Sequence, residues 1–375
     1  MRKFLEMGAS VHGIDKRGYT CLHQAVLCGK YTLIKHLVEY GANVEQNSFF
    51  PMHKPIHLCA RVDYEEDCLK ELLKCGAQPN AVDFLKNTLL HVVLMYAPYK
   101  RRYIQKLVTK YGMDPKATNI RGDNALHIIV GAAACTPRDI LFLAKIFMKR
   151  GVDINSVNIF GETPLHVASR NGHPSVVDFL LREGAAMGIR SNTGWTAFEL
   201  LVAEDYRMMD PIVIFLKHFA LKKRCGETLE DSVSQIITSD VKFQKIYRKF
   251  ENDLNRLQST QIVETHRVTV HDILCCKKSE VVIYLRSACV RDNIVANKDS
   301  TFFWREIRHR FSKIMKIIRL EEESCRLIHQ ISYGRLPYPC LEHISKYLSE
   351  RDVKVLSSSL RTKNRNRRMF KKKYF

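Results

Sequence analysis

One tetrapeptide returns along the first half of this chain at nearly constant spacing, and that return restricts the fold more than any other feature. Its copies are Thr20-Cys21-Leu22-His23, Lys54-Pro55-Ile56-His57, Thr88-Leu89-Leu90-His91, Asn124-Ala125-Leu126-His127 and Thr163-Pro164-Leu165-His166. Their histidines stand 34, 34, 36 and 39 residues apart, and a degraded copy, Thr196-Ala197-Phe198-Glu199, follows after 33 more. Each copy precedes a second apolar helical stretch that ends in a glycine turn: 33–45, 68–80, 143–155 and 176–188. A period of this length marks a repeat array, in which a short helix pair cannot bury its own apolar face and neighbouring pairs supply the rest of the core. Thr and Pro suit a helix start, where a hydroxyl satisfies free amides and proline costs no hydrogen bond. Glycine after the second helix accepts the left-handed turn that ends it. The longer spacings are expected to hold insertions such as 132–139 between paired helices.

GETPLHVA at 161–168 nearly completes the pattern G-x-T-P-L-H-x-A, so residues 1 to about 220 resemble ankyrin repeats, about five to six of them. The segment 1–11 reads as the end of such a repeat whose first helix is missing, so either Phe4 and Leu5 are covered in some other way or the sequence is truncated, and truncation is the expectation. Five regularly spaced histidines invite a metal site. Packed helices lie about 8–10 Å apart, too far for successive imidazoles to share an ion about 2 Å from each nitrogen, so a structural role is expected, holding the turns through hydrogen bonds. No cofactor or metal is expected.

In the ankyrin family, partners commonly lie along the hairpin tips and inner helices. The two residues before each glycine slot here are Lys16-Arg17, Phe84-Leu85, Ile120-Arg121, Ile159-Phe160 and Asn192-Thr193. Large apolar side chains at such positions point to an interface, so Phe84, Leu85, Ile120, Arg121, Ile159 and Phe160 are the candidate residues for an unidentified target protein. The alternative is that neighbouring tips pack on one another.

Beyond about residue 220 the repeat fades, and 221–335 reads as a helical region. Residues 229–258 have helical spacing, 267–286 begin as a short extended piece, and 301–320 form an aromatic, basic helix with Phe302, Phe303, Ile307, Phe311 and Ile314 on one face. Such a stripe more often faces a core than a membrane or nucleic acid. The class is therefore all-α: a repeat solenoid followed by a helical C-terminal region.

The segment LPYPCLEHISKYL at 336–348 places Leu341, Ile344, Tyr347 and Leu348 on one helical stripe. Ser349-Glu350-Arg351-Asp352 then has the form of a helix start. Leu336-Pro337, Ile344, Tyr347-Leu348 and Asp352-Val353 resemble the F-box pattern, with departures at Pro339, Cys340 and Ser345. A repeat array, a helical spacer and a shortened F-box at 336–360 together resemble the PRANC-type ankyrin proteins of poxviruses and of some parasitoid insects and their microbial associates. The resemblance implies docking on the Skp adaptor of a cullin–RING ubiquitin ligase of the SCF type, through Leu336, Pro337, Ile344, Tyr347, Leu348, Asp352, Val353 and Leu356. The array would then hold a target beside the ligase. Two alternatives stay open: a final helix that packs back on the spacer, and a plain scaffold or sequestering inhibitor of a signalling or transcription protein.

Composition narrows the rest. The net charge of +21 is concentrated in part in a basic tail, 361–375, with eight basic and no acidic side chains. That tail reads as a solvated end, a nuclear-import signal or a nucleic-acid patch; nucleic acid remains the weaker partner class. Twelve cysteines are scattered without a C-x-x-C pair, which suits free thiols in a reducing compartment. No run of eighteen apolar residues suggests a membrane span, and no apolar stretch behind Arg2 and Lys3 suggests a secretory signal. A cytoplasmic protein is expected, with nuclear entry left open by the tail. No nucleophile–base pair, phosphate loop or metal spacing gives reason to expect an enzyme.

Overall fold

The computed structural model describes residues 10–49, 52–61, 65–203, 209–228, 230–259, 261–263, 268–269 and 303–331, together with Leu274, Val281, Leu285 and Val353. The chain divides into two compact units, with the boundary between His218 and Phe219.

In the first unit, first helices alternate with second helices. The first helices are α1 (Cys21–Leu27), a 3-10 helix (Pro55–Arg61), α4 (Leu89–Tyr96), α6 (Ala125–Val130), α8 (Pro164–Arg170) and α10 (Ala197–Ala203). The second helices are α2 (Tyr31–Glu39), α3 (Glu65–Lys74), α5 (Arg101–Thr109), α7 (Pro137–Lys149) and α9 (Pro174–Arg182). Each first helix packs on the first helix of the next repeat, which makes one layer; α2 on α3, α5 on α7 and α7 on α9 build the other. The position before each histidine supplies one column of the core: Leu22, Ile56, Leu90, Leu126, Leu165 and, in the degraded copy, Phe198 are at most 1 % exposed. Leu37, Leu72, Leu107, Phe147 and Leu180 form the matching column on the second helices. A helix pair this short cannot enclose both columns by itself, which is the physical reason the array must stack.

The second helices end as the glycines predict. Gly41, Gly76, Gly112, Gly151 and Gly184 all have φ between +69° and +100°, a region that costs an L-residue about 1–2 kcal/mol. The insertion expected at 132–139 is a turn that leads into α7, where Thr136 caps the helix by accepting from Asp139 N and Pro137 takes the first turn.

The histidines join the repeats. Backbone N–H of the cap residue donates to Nδ1 of the histidine three residues on: Thr20 to His23 at 3.2 Å, Lys54 to His57 at 3.1 Å, Thr88 to His91 at 3.1 Å and Thr163 to His166 at 3.1 Å. A ring nitrogen that accepts leaves the proton on the other nitrogen. Nε2–H then donates to a backbone carbonyl of the following repeat: His23 to His53, His57 to Asn87, His91 to Asp123, His127 to Glu162 and His166 to Trp195, at 3.0–3.2 Å. Each acceptor residue immediately precedes the next cap. In the degraded copy Glu199 stands in for histidine: its carboxylate accepts from Thr196 N at 2.8 Å and Thr196 Oγ1 accepts from Glu199 N at 3.2 Å, a reciprocal cap.

In the second unit, α12 (Asp231–Ser239) and α13 (Val241–Ser259) pack together, and a two-stranded antiparallel hairpin follows, β1 (Gln261–Val263) with β2 (Val268–Thr269). The long helix α14 covers Trp304–Ile331. Phe243, Tyr247, Phe250, Leu254 and Leu257 repeat at helical spacing on α13 and are all buried. Phe303, Ile307, Ile314 and Ile318 form the buried stripe leading into and along α14, with Phe311 half-buried beside it. This is the core-facing outcome for the stripe at 301–320. Phe302 and residues 332–375 other than Val353 lie outside the described residues. Helix α11 (Met209–Arg224) contains the boundary between the units. No helix among the described residues is long and apolar enough to cross a membrane.

Burial holds these histidines neutral. It lowers His57 and His127 to about 4 and shifts His23, His91 and His166 in the same direction. Because the folded values lie below the unfolded value near 6.5, the unfolded chain binds more protons between about pH 4 and pH 6.5, and stability falls as pH drops through that window. The urea midpoint is expected to be level above pH 7 and clearly lower at pH 5, where His57 and His127 together remove about 4 kcal/mol. A midpoint unchanged from pH 7.5 to 5 would contradict the histidine geometry.

Candidate protein-interaction site

The loops that enter each first helix are tight hairpins, and their geometry starts with one polar residue. Asp15, Asp83, Asn119 and Asn158 each accept backbone N–H groups of the turn on Oδ1: Arg17 and Tyr19 for Asp15, Asn87 for Asp83, Arg121 and Asp123 for Asn119, and Phe160 and Glu162 for Asn158, at 2.8–3.1 Å. A short side chain that satisfies its own turn frees the tip from other duties. The closing backbone bond runs from the same residue's N–H to the residue before the cap, as in Asn158 to Glu162 at 3.0 Å. That carbonyl also takes the histidine of the preceding repeat, so hairpin and helix layer are fixed by one oxygen.

Successive tips are tied by backbone. Phe49 N donates to Arg17 O, Ile120 N to Leu85 O, Ile159 N to Arg121 O and Asn192 N to Phe160 O, at 2.8–3.0 Å. Both readings of the tips therefore have a physical basis: neighbouring tips do meet, through main chain and through Asn192 Nδ2, which donates to Ile159 O at 2.9 Å, while large apolar side chains stay partly outside. Phe84 is 55 % exposed, Ile120 49 %, Ile159 56 % and Phe160 45 %. Leu85 is half-buried and Arg121 exposed. The Arg121 guanidinium lies 5.4 Å from the Phe160 ring centroid and within 3.5 Å of Asp123 Oδ2, so it is held across the boundary between two tips.

The six candidate tip residues thus occupy three consecutive hairpins linked by hydrogen bonds. Phe49 and Trp195 extend the exposed apolar set and were not among them. Phe49 sits in a hairpin one residue longer than the others, Ser48 to Lys54, where Met52 at φ +59° replaces the glycine that would have flagged the slot. Trp195 follows its glycine, at a position occupied elsewhere by Tyr19, Asn87, Asp123 and Glu162.

The residues proposed for the ligase adaptor, Leu336, Pro337, Ile344, Tyr347, Leu348, Asp352 and Leu356, lie outside the described residues. Val353 is described, and it is 2 % exposed.

The glycine slot makes a pair of contrasting predictions. A Cβ at Gly161 would lie 2.6 Å from Asn192 Oδ1 and 2.8 Å from Asn192 N, at φ +70°. Gly161→Ala is expected to cost about 2 kcal/mol or more by urea denaturation, because strain and a clash with the next tip add. Lys86 already stands in this slot at φ +57°. Lys86→Gly should change stability by less than about 1 kcal/mol, since relief of strain and added unfolded-chain entropy oppose each other.

Family models for the ankyrin repeat match residues 17–46 and 54–84, and a model for ankyrin repeats in many copies matches 149–201. The chain is 31 % identical over 115 residues to human "Ankyrin repeat and SOCS box protein 6" and 30 % identical to the same protein of Pongo abelii, covering 30 % of this chain in each case. The match spans 27 % of the length of these curated relatives. Among solved structures, the ankyrin repeat domain of Bcl-3 is similar at a TM-score of 0.46 and 23 % identity, over 57 % of this chain and 89 % of that one. The human ASB11 ankyrin repeat domain is similar at 0.45 and 19 %, over 57 % and 90 %. Residues 17–46, 54–84 and 149–201 are ankyrin repeats, and with the identically bridged helix pairs between them they form one ankyrin-repeat solenoid.

Proposed function

We propose that this chain is a protein-interaction adaptor whose ankyrin array holds a target protein while the segment 336–356 docks on the Skp adaptor of a cullin–RING ubiquitin ligase. The observation that carries the first half is the run of exposed apolar side chains on three hydrogen-bonded hairpins: Phe84, Ile120, Ile159 and Phe160. Rigid, exposed aromatic and aliphatic groups lose little entropy on binding and supply buried contacts. The second half rests on the F-box-like sequence of Leu336, Pro337, Ile344, Tyr347, Leu348, Asp352, Val353 and Leu356. The curated relatives bear a name that likewise pairs ankyrin repeats with a second module, a SOCS box. Holding a target near a ligase raises its effective concentration, so no catalytic group is needed on the adaptor itself. The proposed location is the cytoplasm, with the basic tail as the element that would permit nuclear entry.

A second reading has an observation of its own. Val353, one of the residues assigned to the Skp contact, is 2 % exposed within this protein. That favours a terminal segment packed on its own domain, and a scaffold or sequestering inhibitor without ligase recruitment.

A pull-down with purified Skp adaptor and cullin separates the two. The intact chain is expected to recover both, and the triple variant Leu336→Ala, Pro337→Ala, Ile344→Ala to recover neither at equal helical content. Recovery by neither protein, or by both equally, would leave the scaffold as the better account. Separately, Ile159→Asp with Phe160→Asp should leave the unfolding free energy within about 1 kcal/mol, as exposed sites do, and abolish capture of the target.

A further inference from the structure

The two longest repeats place their extra length side by side. The first-to-second-helix connection is three residues at 28–30 and at 171–173, but four at 97–100 and six at 131–136. These two longer connections belong to neighbouring repeats and dock on each other. Ala97 and Cys135 are buried, and Cys135 Sγ donates to Pro98 O at 3.6 Å. Arg101 Nη1 donates to Asp139 Oδ1 at 2.8 Å, and the same guanidinium lies 4.8 Å from the Phe142 ring centroid. Asp139 is held further by the hydroxyl of Thr136, at 2.9 Å.

On this fixed base stand four large exposed side chains: Tyr96 at 70 %, Tyr99 at 63 %, Met95 at 43 % and Phe142 at 36 %. The stretches 95–102 and 131–142 also carry Lys100, Arg101, Arg102 and Arg138 against a single carboxylate, Asp139, which Arg101 already engages. The surface is aromatic at its centre and cationic around it. Tyrosine and arginine are the side chains that most often dominate an interface, and a patch of one sign selects a partner of the other. The place is separate from the hairpin tips, because α4 starts at its hairpin and its eight residues carry the chain about 12 Å away.

We infer that the docked connections of the third and fourth repeats form a second docking surface, for an acidic protein segment whose carboxylates flank an aliphatic or aromatic side chain. Tyr96, Tyr99 and Phe142 would take the apolar group, and Arg102 and Arg138 the carboxylates. The inference is independent of the tip row and of the ligase reading.

Fluorescence anisotropy with the full chain tests it, using three labelled peptides of equal length. One alternates Glu and Asp with Leu and Phe, one replaces Leu and Phe by Ser, and one replaces the acids by Lys. Saturable binding of the first, at least tenfold tighter than the other two, is expected. It should weaken at least tenfold with Tyr96→Ser plus Tyr99→Ser, and also with Arg102→Glu plus Arg138→Glu, both of which alter exposed positions and should melt like the parent. Phe160→Ser should leave it unchanged. No binding of the first peptide, equal binding of the serine peptide, loss only with Phe160→Ser, or tighter binding of a thymidine oligonucleotide would each overturn the assignment.

Discussion

The structure of residues 10–203 depends on one arrangement: a buried imidazole whose two nitrogens belong to two different repeats. Nδ1 accepts from the cap of its own helix, and Nε2–H reaches the carbonyl that ends the next hairpin. One oxygen per hairpin, in turn, receives both that N–H and the bond that closes the turn. A helix of six to eight residues has too little internal stabilisation to persist alone. The histidine sets its start, its register on the next repeat and the position of the next tip at once. Stacking then encloses the two apolar columns, and the apolar side chains at the tips remain outside because the turn has no use for them.

Much of this could be read in the sequence. Spacing and the recurring Thr-x-x-His identified the helix pairs, the glycine turns and the tips, because each reflects a local rule of capping or backbone conformation. The structural role expected of the histidines rests on hydrogen bonds that spacing alone could only suggest; that their second bond crosses to the following repeat needed three dimensions. The same is true of the polar residue that opens each hairpin. Asp15, Asp83, Asn119 and Asn158 lie five residues before the cap, a regularity visible in retrospect. Phe49 was missed because its hairpin is one residue longer and has methionine in the glycine slot. In the second unit, helical spacing was enough to find the buried faces of α13 and of the segment entering α14, and β2 lies in the short extended piece expected from residue 267, while its partner β1 is too short for periodicity to register.

Function follows from what the stacking leaves exposed. A solenoid buries one continuous core and offers a long surface whose parts are held in fixed relation, so partners can be bound at more than one place along it. The tips of the third to fifth hairpins and the docked connections of the third and fourth repeats are the two places proposed for this, at the two ends of the first helices of those repeats. The first sets exposed apolar side chains beside Lys86 and Arg121, and the second is ringed by cations. Their different chemistry suits different partners, or two segments of one partner.

Bridging is the central functional claim, and hydrogen exchange on the full chain, with and without purified Skp adaptor, tests it most directly. The account predicts slowed exchange confined to amides 336–356, with the array at 10–203 unchanged and available to a target. No slowing anywhere at saturating adaptor, or slowing at the hairpin tips instead, would contradict it.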